Sequence, residues 1–541
     1  MKKVKKFIAL LLAVVLLGIT MVPMASAESK VDPSEGITQK IEAIFYMIVD
    51  KLINALVKAL NRFTPGLDWG DNWQNYDDYQ ADENFYPGES TFSSSVSEGS
   101  VWSMGYAYAS LLDGLDVLNG KFYMAGGLEI AKGKVPTEIL DDQGVNVYAI
   151  SDGVSGIAVQ AVIDGFGIAR NDVLEIRDRL SEFAKQNNII SINVSVLHQH
   201  SLIDTLGMGL PLLPAIVLNP GMSAIGSDKE DFINGKNREF MENLYNVVTQ
   251  SVITAVEDMS EGNLYYGCAD ASDLMYDKRK PIEFDGNIHR LRFDPFDESE
   301  NEIWVCQAGI HCTGYSGDST AISADFPYYF KEYVKQTTGA DVVYVQGAEV
   351  AITTERDNLK YENTGKNSRV KAYGIELAKR AVAIGNETAL EPVMNIKVNE
   401  VTINPDNQIL VLAVRLGAVD SLVTKDGLSY KLITELGYME LGNNVGILLA
   451  PGEIAPEILW GGAVSKEESW TKQSWDYAPM KDTAGVDTLI CFGLNNDQVG
   501  YIMPDNDIRA MLTENEEFNV VAYDVGSTLT EAFEELISSV K

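Results

Sequence analysis

Three of the four histidines in this chain lie where an apolar, strand-like run ends. His198 and His200 close the run that begins at Ile189, and His311 closes the run that begins at Ile303. Side chains two positions apart on a strand point to the same side, so His198 and His200 present two imidazoles together. Imidazoles at strand ends serve as metal ligands and as acid–base groups. The spacing alone leaves open both a metal site and two ordinary polar residues.

Two further polar side chains follow apolar runs. Glu453 comes after a Pro-Gly turn, and a buried carboxylate needs a metal ion, a cation or a hydrogen-bond donor as its partner. Tyr501 follows a polar turn, but tyrosine is a rare zinc ligand and spacing does not single it out. Cys312 is interpreted as a small buried residue and not as a ligand. His289 has no comparable context and is interpreted as a surface or loop residue.

The elements that must position these residues alternate between two periodicities. Apolar runs rich in β-branched residues are followed by helical patterns, which is typical of an α/β fold with a mixed β-sheet core flanked by helices. Helices are predicted at 172–186, 324–337, 369–384 and 528–538. Strands are predicted at 145–150, 189–197, 303–310, 342–346, 393–403, 409–416, 445–449 and 488–492. The strands 393–403 and 409–416 are expected to pair around the turn at 404–407.

The N-terminus has the features of a secretory signal. Four lysines precede an apolar run from Phe7 to Met24, and Ala25-Ser26-Ala27 supplies the small residues of a cleavage site. We therefore predict a signal peptide at 1–27 and a secreted, extracellular protein.

Two further segments follow the predicted signal peptide. Residues 28–100 are interpreted as an amphipathic helix at 37–62 and an irregular linker, and residues 101–541 as the main domain. The helix is expected to pack on the main domain or on its own copy. Contact of 37–62 with a membrane surface is the alternative.

Charge and cysteine content restrict the partners. The chain has a formal net charge of -36, so nucleic acid and anionic surfaces would repel the protein as a whole. Its four cysteines are too few for a disulfide framework in 541 residues. A large apolar core must therefore stabilise the fold, and 46% hydrophobic residues are enough to form one.

Several segments between Met124 and Ile502 together resemble the neutral, non-lysosomal ceramidases and their bacterial relatives. The family's H-x-H-S, I-S-A-D-Y-P, P-G-E and G-Y-I stretches recur here in the same order. The matching segments are Met124-Ala125-Gly126-Gly127, Leu140-Asp141-Asp142, Asp164-Gly165-Phe166-Gly167, Ile176-Arg177-Asp178-Arg179-Leu180, His198-Gln199-His200-Ser201, Asp204-Thr205-Leu206-Gly207, Ile322-Ser323-Ala324-Asp325-Phe326-Pro327, Pro451-Gly452-Glu453, Gly493-Leu494-Asn495-Asn496-Asp497 and Gly500-Tyr501-Ile502.

This resemblance implies a Zn²⁺ site whose ligands could not be grouped from residue spacing alone. The family's ligands correspond to His198, His311, Glu453 and Tyr501, and each position holds the required residue type. His200 matches a histidine that donates a proton or stabilises the oxyanion. The implied activity is hydrolysis of the amide bond of ceramide or a related N-acyl lipid.

Two departures from the family pattern leave alternatives open. The family's G-D-x-S-P segment corresponds to Val350-Ala351-Ile352-Thr353-Thr354, which places Thr353 at the position of the catalytic serine. The chain also ends soon after Tyr501, so the family's C-terminal β-sandwich is expected to be missing. The alternatives are a zinc hydrolase of other specificity, acting on an ester or small amide, and a non-catalytic metal- or lipid-binding relative.

Overall fold

The structure is a computed structural model that describes residues 37–63, 75–82, 84–126, 133–209, 232–315, 319–357, 359–365, 367–415, 419–442, 445–508 and 519–541. The predicted signal peptide at 1–27 lies outside these residues. Within the described ranges, no helix is long and apolar enough to cross a membrane.

Helices and strands alternate through most of the described chain. The helices are α1 Ile37–Phe63, α2 Arg170–Gln186, α3 Arg238–Glu257, α4 Asp325–Thr338, α5 Ser368–Val382, α6 Gln408–Arg415, α7 Pro456–Trp460, α8 Met480–Ala484 and α9 Val525–Val540. The strands are β1 Trp102–Ser110, β2 Glu138–Ile139, β3 Gly144–Ser151, β4 Ile157–Ile163, β5 Ile189–Val196, β6 Phe232–Ile233, β7 Lys236–Asn237, β8 Ser260–Asp270, β9 Met275–Asp277, β10 Asn287–Pro295, β11 Ile303–Ala308, β12 Ala321–Ile322, β13 Asp341–Gln346, β14 Ile352–Thr354, β15 Thr388–Leu390, β16 Met394–Ile403, β17 Val423–Asp426, β18 Ser429–Leu441, β19 Val445–Leu449, β20 Glu453–Ile454, β21 Thr488–Phe492 and β22 Tyr501–Ile502.

Two mixed sheets form the core. The larger has the order β13-β11-β10-β8-β1-β3-β4-β5, with β15 added beside β8, and the smaller has the order β16-β18-β19-β21, with β17 beside β18. The pairs β4–β5, β11–β13 and β19–β21 are parallel, and the other pairs in these two sheets are antiparallel. The predicted α/β class with a mixed sheet flanked by helices is confirmed.

The sheets pack face to face because their strands are apolar on both sides. In β18, Met439 joins the core shared with the larger sheet, whereas Tyr438 packs against Phe533 of α9 on the opposite face. In β3, Ile150 lies in the shared core, and Val147 contributes to the core that includes residues of α2 and α3. The period of two along each strand thus produces four layers of helix, sheet, sheet and helix.

Most of the predicted elements are confirmed, with shifts of up to three residues at their ends. The prediction of a strand at 409–416 is wrong, because Gln408–Arg415 forms helix α6. The Asn407 side chain caps this helix by accepting a hydrogen bond from Leu410 N at 3.2 Å. Strand β16 pairs with β18, which the sequence analysis did not identify.

The segment before β1 follows the smaller sheet. Gly88 forms a bridge with Lys397 of β16, and Ser93 N donates to Asn395 Oδ1 at 2.7 Å. Residues 87–93 therefore lie along β16 and hydrogen-bond to its backbone and to the side chain of Asn395.

The carboxyl ends of parallel strands from both sheets meet. Gly493 N, directly after β21, donates to Gln346 O at the end of β13, at 2.9 Å. Asn496 N donates to Val194 O of β5 at 2.7 Å. The loops that leave β5, β13 and β21 are therefore held against one another, and this meeting point is where the sequence analysis placed its candidate residues.

A buried ion pair joins α2 to β18. Arg177 donates to both oxygens of Glu435 at 2.7 and 2.9 Å and to Ile192 O, and both side chains are inaccessible to solvent. The hydrogen bonds between Arg177, Glu435 and Ile192 O replace those that the guanidinium and the carboxylate would make to water.

We predict that Glu435→Leu lowers the free energy of unfolding by about 3–5 kcal/mol, because the substitution leaves a buried guanidinium without its carboxylate. The matched control is Glu242→Gln, whose Arg179 partner is 2.9 Å away on the surface, where such a pair contributes about 1 kcal/mol or less. Denaturant midpoints measure both changes, and equal shifts would contradict this assignment.

Candidate metal centre

Three imidazoles are oriented in the same way by backbone carbonyls. The Nδ1 atom of His198 lies 2.7 Å from Phe166 O, that of His200 lies 3.3 Å from Gly126 O, and that of His311 lies 3.0 Å from Glu349 O. A carbonyl only accepts hydrogen bonds, so each Nδ1 carries the proton. In the neutral ring, each Nε2 then has a lone pair available, and histidines of this type are the usual ligands of protein-bound metals.

The three rings face a common space. The ring centroid of His198 lies 4.7 Å from that of His200 and 5.1 Å from that of His311. A ligand atom from each of the three histidines lies within 4.8 Å of the other two. The structure therefore brings together histidines from the ends of two separate strands.

A carboxylate and a phenol complete the cluster. Glu453 and Tyr501 are opposite each other in the short parallel pair of β20 and β22. The Glu453 carboxylate lies 2.9 Å from His311 Nε2 and 3.5 Å from His198 Nε2, and the Tyr501 hydroxyl lies 3.5 Å from His311 Nε2. Gln498 holds the carboxylate through a 3.2 Å hydrogen bond. The four residues predicted as metal ligands thus surround one point.

Glycines allow the loops to approach this closely. A Cβ atom at Gly309 would lie 2.1 Å from Ala348 O, and one at Gly452 would lie 2.5 Å from Gly500 O. A side chain at either position would therefore push the strand ends apart. The first contact places His311 beside the loop that follows β13, and the second places Glu453 beside Tyr501.

The backbone is strained at the first histidine. His198 has φ of 57°, in the left-handed region that residues with a Cβ rarely adopt. Phe166 stacks on its ring at 4.6 Å, and the buried surroundings hold the conformation in place. Such strain occurs most often at functional sites, where neighbouring contacts fix it.

Burial and neighbouring charges shift the titration of the cluster. Burial lowers the pKa of His198 and drives that of His200 well below its usual value. Burial also lowers the pKa of His311, but Glu349 and Glu453 outweigh this effect and raise it to about 9. Burial raises the pKa of Glu453, but the two adjacent histidines hold it below its usual value. His311 and Glu453 thus form an ion pair, and a metal ion must displace the proton between them.

The donor set fits a metal ion. Among the described residues, His200 Nε2 and both carboxylate oxygens of Glu349 are buried without a hydrogen-bond partner. Buried polar atoms are normally satisfied, so unsatisfied atoms on two residues next to His311 indicate a bound species. Imidazole nitrogen together with carboxylate and phenol oxygen suits Zn²⁺, for which nitrogen and oxygen ligands are common.

Thr353 lies beside the cluster through its backbone. It forms a bridge with His311, and its hydroxyl lies 3.3 Å from the Thr313 hydroxyl. The residue aligned with the family's serine is therefore next to a candidate ligand, at the edge of the site.

Glu349, which follows β13, also lies at the cluster and was not among the predicted site residues. Its carboxylate is fully buried and lies 3.7 Å from His311 Nδ1, and a ligand atom of Glu349 lies within 4.8 Å of those of His311 and Glu453. The available signal was the one used for Glu453, an acid directly after a buried strand.

Two residues that the sequence analysis excluded as ligands lie in the core. Cys312 is fully buried, as predicted. The prediction of a surface or loop position for His289 is wrong. His289 is a buried residue of β10, where its ring lies between Asp285 Oδ2 at 2.5 Å and the Tyr266 hydroxyl at 2.7 Å. Hydrogen bonds at both ring nitrogens offset the cost of burying it.

Comparison with known proteins shows similarity in structure only. No family model matches the chain, and no curated protein sequence matches it. A neutral ceramidase from Pseudomonas aeruginosa aligns with a TM-score of 0.59 and 14% identity over 81% of this chain and 74% of that chain. A ceramidase complexed with C2 aligns with a TM-score of 0.57 and 12% identity over 81% and 75% of the two chains. The chain therefore has a neutral-ceramidase-like fold, as the sequence resemblance implied.

We predict that His311→Ala abolishes stoichiometric metal binding, because it removes the imidazole shared by both groups of potential ligands. Elemental analysis of the purified variant measures the bound metal. The control is His289→Ala, which removes the fourth histidine and should retain the metal. Stoichiometric metal in His311→Ala would disprove the ligand assignment.

Proposed function

We propose that the chain is a secreted, zinc-dependent hydrolase that cleaves the amide bond of ceramide or a related N-acyl lipid. The observation that carries this proposal is the convergence of His198, His311, Glu453 and Tyr501 on one point, within a fold shared with neutral ceramidases. When bound there, Zn²⁺ would polarise the amide carbonyl and lower the pKa of water at an open position.

His200 is proposed as the proton-transfer group. Its Nδ1 proton is directed to Gly126 O, so its Nε2 accepts a proton in the resting site and cannot donate one. We infer that Nε2 takes the proton of the attacking water as the water oxygen bonds to the amide carbon. The resulting imidazolium then gives that proton to the nitrogen as the C–N bond breaks. The sequence expectation for His200 was proton donation or stabilisation of the oxyanion, and this order adds a first step in which His200 accepts a proton.

Thr353 is proposed to orient the substrate carbonyl through its hydroxyl. This role rests on its alignment with the family's serine and on its position beside His311. Ala351, two residues before Thr353, has φ of 66°, so the loop that differs from the family's G-D-x-S-P segment holds a strained turn at the edge of the site. The departure of this loop from the family's segment favours a second candidate, a zinc hydrolase for an ester or small amide.

Several further assignments belong to the same proposal. We propose that residues 1–27 are a signal peptide removed on export, that residues 101–541 form the hydrolase domain, and that nucleic acid is not a partner. The acidity of the chain supports the last point.

We predict that the purified protein releases fatty acid from N-acyl-sphingosines, and that a chelator stops the release and added Zn²⁺ restores it. A panel that also includes simple fatty amides and acyl esters identifies the preferred bond. Fatty acid release that persists without bound zinc would refute the metal-dependent mechanism. Exclusive ester cleavage would favour the second candidate.

We also predict that Thr353→Val and His200→Ala each lower kcat by about 100-fold or more while bound zinc remains stoichiometric. Valine keeps the shape of threonine and removes only the hydroxyl. If His200→Ala loses the metal instead, His200 is a ligand and the proton-transfer assignment is wrong. An unchanged kcat in Thr353→Val would exclude a role for its hydroxyl.

A further inference from the structure

Helix α1 docks on the protein through a side that carries both polar and apolar residues. Asp50, Val57 and Asn61 are buried against the domain. Asn61 Nδ2 donates to Gln408 O at 3.1 Å, and Arg415 Nη1 donates to Asn61 Oδ1 at 2.9 Å. These hydrogen bonds fix which side of the helix faces inward.

The opposite side of α1 is apolar and exposed. Ile48, Leu52 and Leu56 recur every fourth residue and are 61%, 59% and 49% exposed. Ala55 and Ala59 are also exposed and lie between them on the same side. A helix on a soluble domain normally buries such a stripe, so this orientation is the reverse of the usual one. The expectation that the helix packs on the domain holds for the side that carries Asp50, Val57 and Asn61.

Basic residues border the stripe. Lys51, Lys58 and Arg62 are exposed and lie along one edge of it at helical spacing. The formal net charge of -36 repels anionic surfaces from the protein as a whole, but screening limits each charge to a range of about 8 Å at physiological salt, so the three cations beside the stripe set the local attraction. An apolar stripe with flanking lysines is typical of helices that lie in the interface of an anionic bilayer.

The position of α1 relates it to the candidate metal centre. Strand β19 ends at Leu449, which pairs with Gly437 of the antiparallel β18. The earlier residues of β18 therefore extend past the carboxyl end of β19, and Leu432 there pairs with Ile403 at the end of β16. Helix α6 follows β16 and contacts α1. Helix α1 therefore lies at the same end of the smaller sheet as the carboxyl end of β19. Glu453 follows β19 at that same end.

We propose that the exposed stripe of α1 seats the protein on the surface of an anionic lipid bilayer, with the helix lying in the plane of the interface. The bilayer is favoured over a second copy of α1 because a paired stripe would bring the same cations together, whereas anionic headgroups complement them. The proposal concerns binding and does not depend on which bond the enzyme cleaves.

Vesicle flotation of residues 28–541 tests the proposal, since the apolar run at 7–24 would itself enter lipid. We expect the protein to float with vesicles of phosphatidylcholine and phosphatidylglycerol. We expect much weaker binding to phosphatidylcholine alone and a decrease at high salt. The double variant Leu52→Glu/Leu56→Glu should bind at least tenfold less. Lys51→Glu/Lys58→Glu should lose the preference for the anionic lipid.

The matched control is Phe296→Glu, which charges an apolar residue that is 58% exposed outside α1. It should bind vesicles like the unmodified chain. Circular dichroism and hydrolysis of a water-soluble short-chain amide should be unchanged in all variants, which separates this proposal from the hydrolase assignment. Equal vesicle binding by the Leu52→Glu/Leu56→Glu variant, or none by the unmodified chain, would overturn the proposal. A dimer that this variant converts to a monomer would assign the stripe to a second copy.

Discussion

The Nδ1 hydrogen bonds from three histidines to three backbone carbonyls are the constraint on which the candidate metal centre depends. Each bond fixes both the tautomer and the rotation of a ring, so the free nitrogen faces the shared space. Side-chain carboxylates could serve the same purpose, but a carbonyl cannot rotate away from its own loop. The positions of Phe166, Gly126 and Glu349 are therefore as important as those of the imidazoles themselves.

Those carbonyls are in place because the two sheets direct their parallel strand ends toward each other. Asn496 and Gly493 bond to strands of the larger sheet although they follow a strand of the smaller one. Segments that resembled the ceramidases now have physical roles in this arrangement. Phe166 and Gly126 orient histidines, and Asp141 accepts hydrogen bonds from Ser323 and Ala324 in the loop that precedes α4.

The sequence predicted the strand ends well and their grouping poorly. Runs such as 189–197 and 303–310 are apolar and are followed directly by histidine, so hydrophobic periodicity and composition were sufficient to locate these strand ends. The grouping of His198 with Glu453 depends on contacts between sheets, which local patterns do not encode. At 409–416 the β-branched residues favoured a strand, but the Asn407 cap and burial against the domain produce a helix. Helical periodicity found the apolar stripe of α1 but not the side on which it docks.

The spread of the candidate ligands along the chain has a consequence for folding. His198 and Tyr501 are 303 positions apart, and the short pair of β20 and β22 brings Tyr501 beside Glu453. Contacts this distant in sequence form late, because closing a long loop costs entropy before the contact offsets it. A growing chain has its histidines and Glu453 well before Tyr501 is made, so the complete set of ligands is assembled only near the end of folding. Metal capture would then mark a nearly finished molecule, and an ion bound at that stage would slow its unfolding.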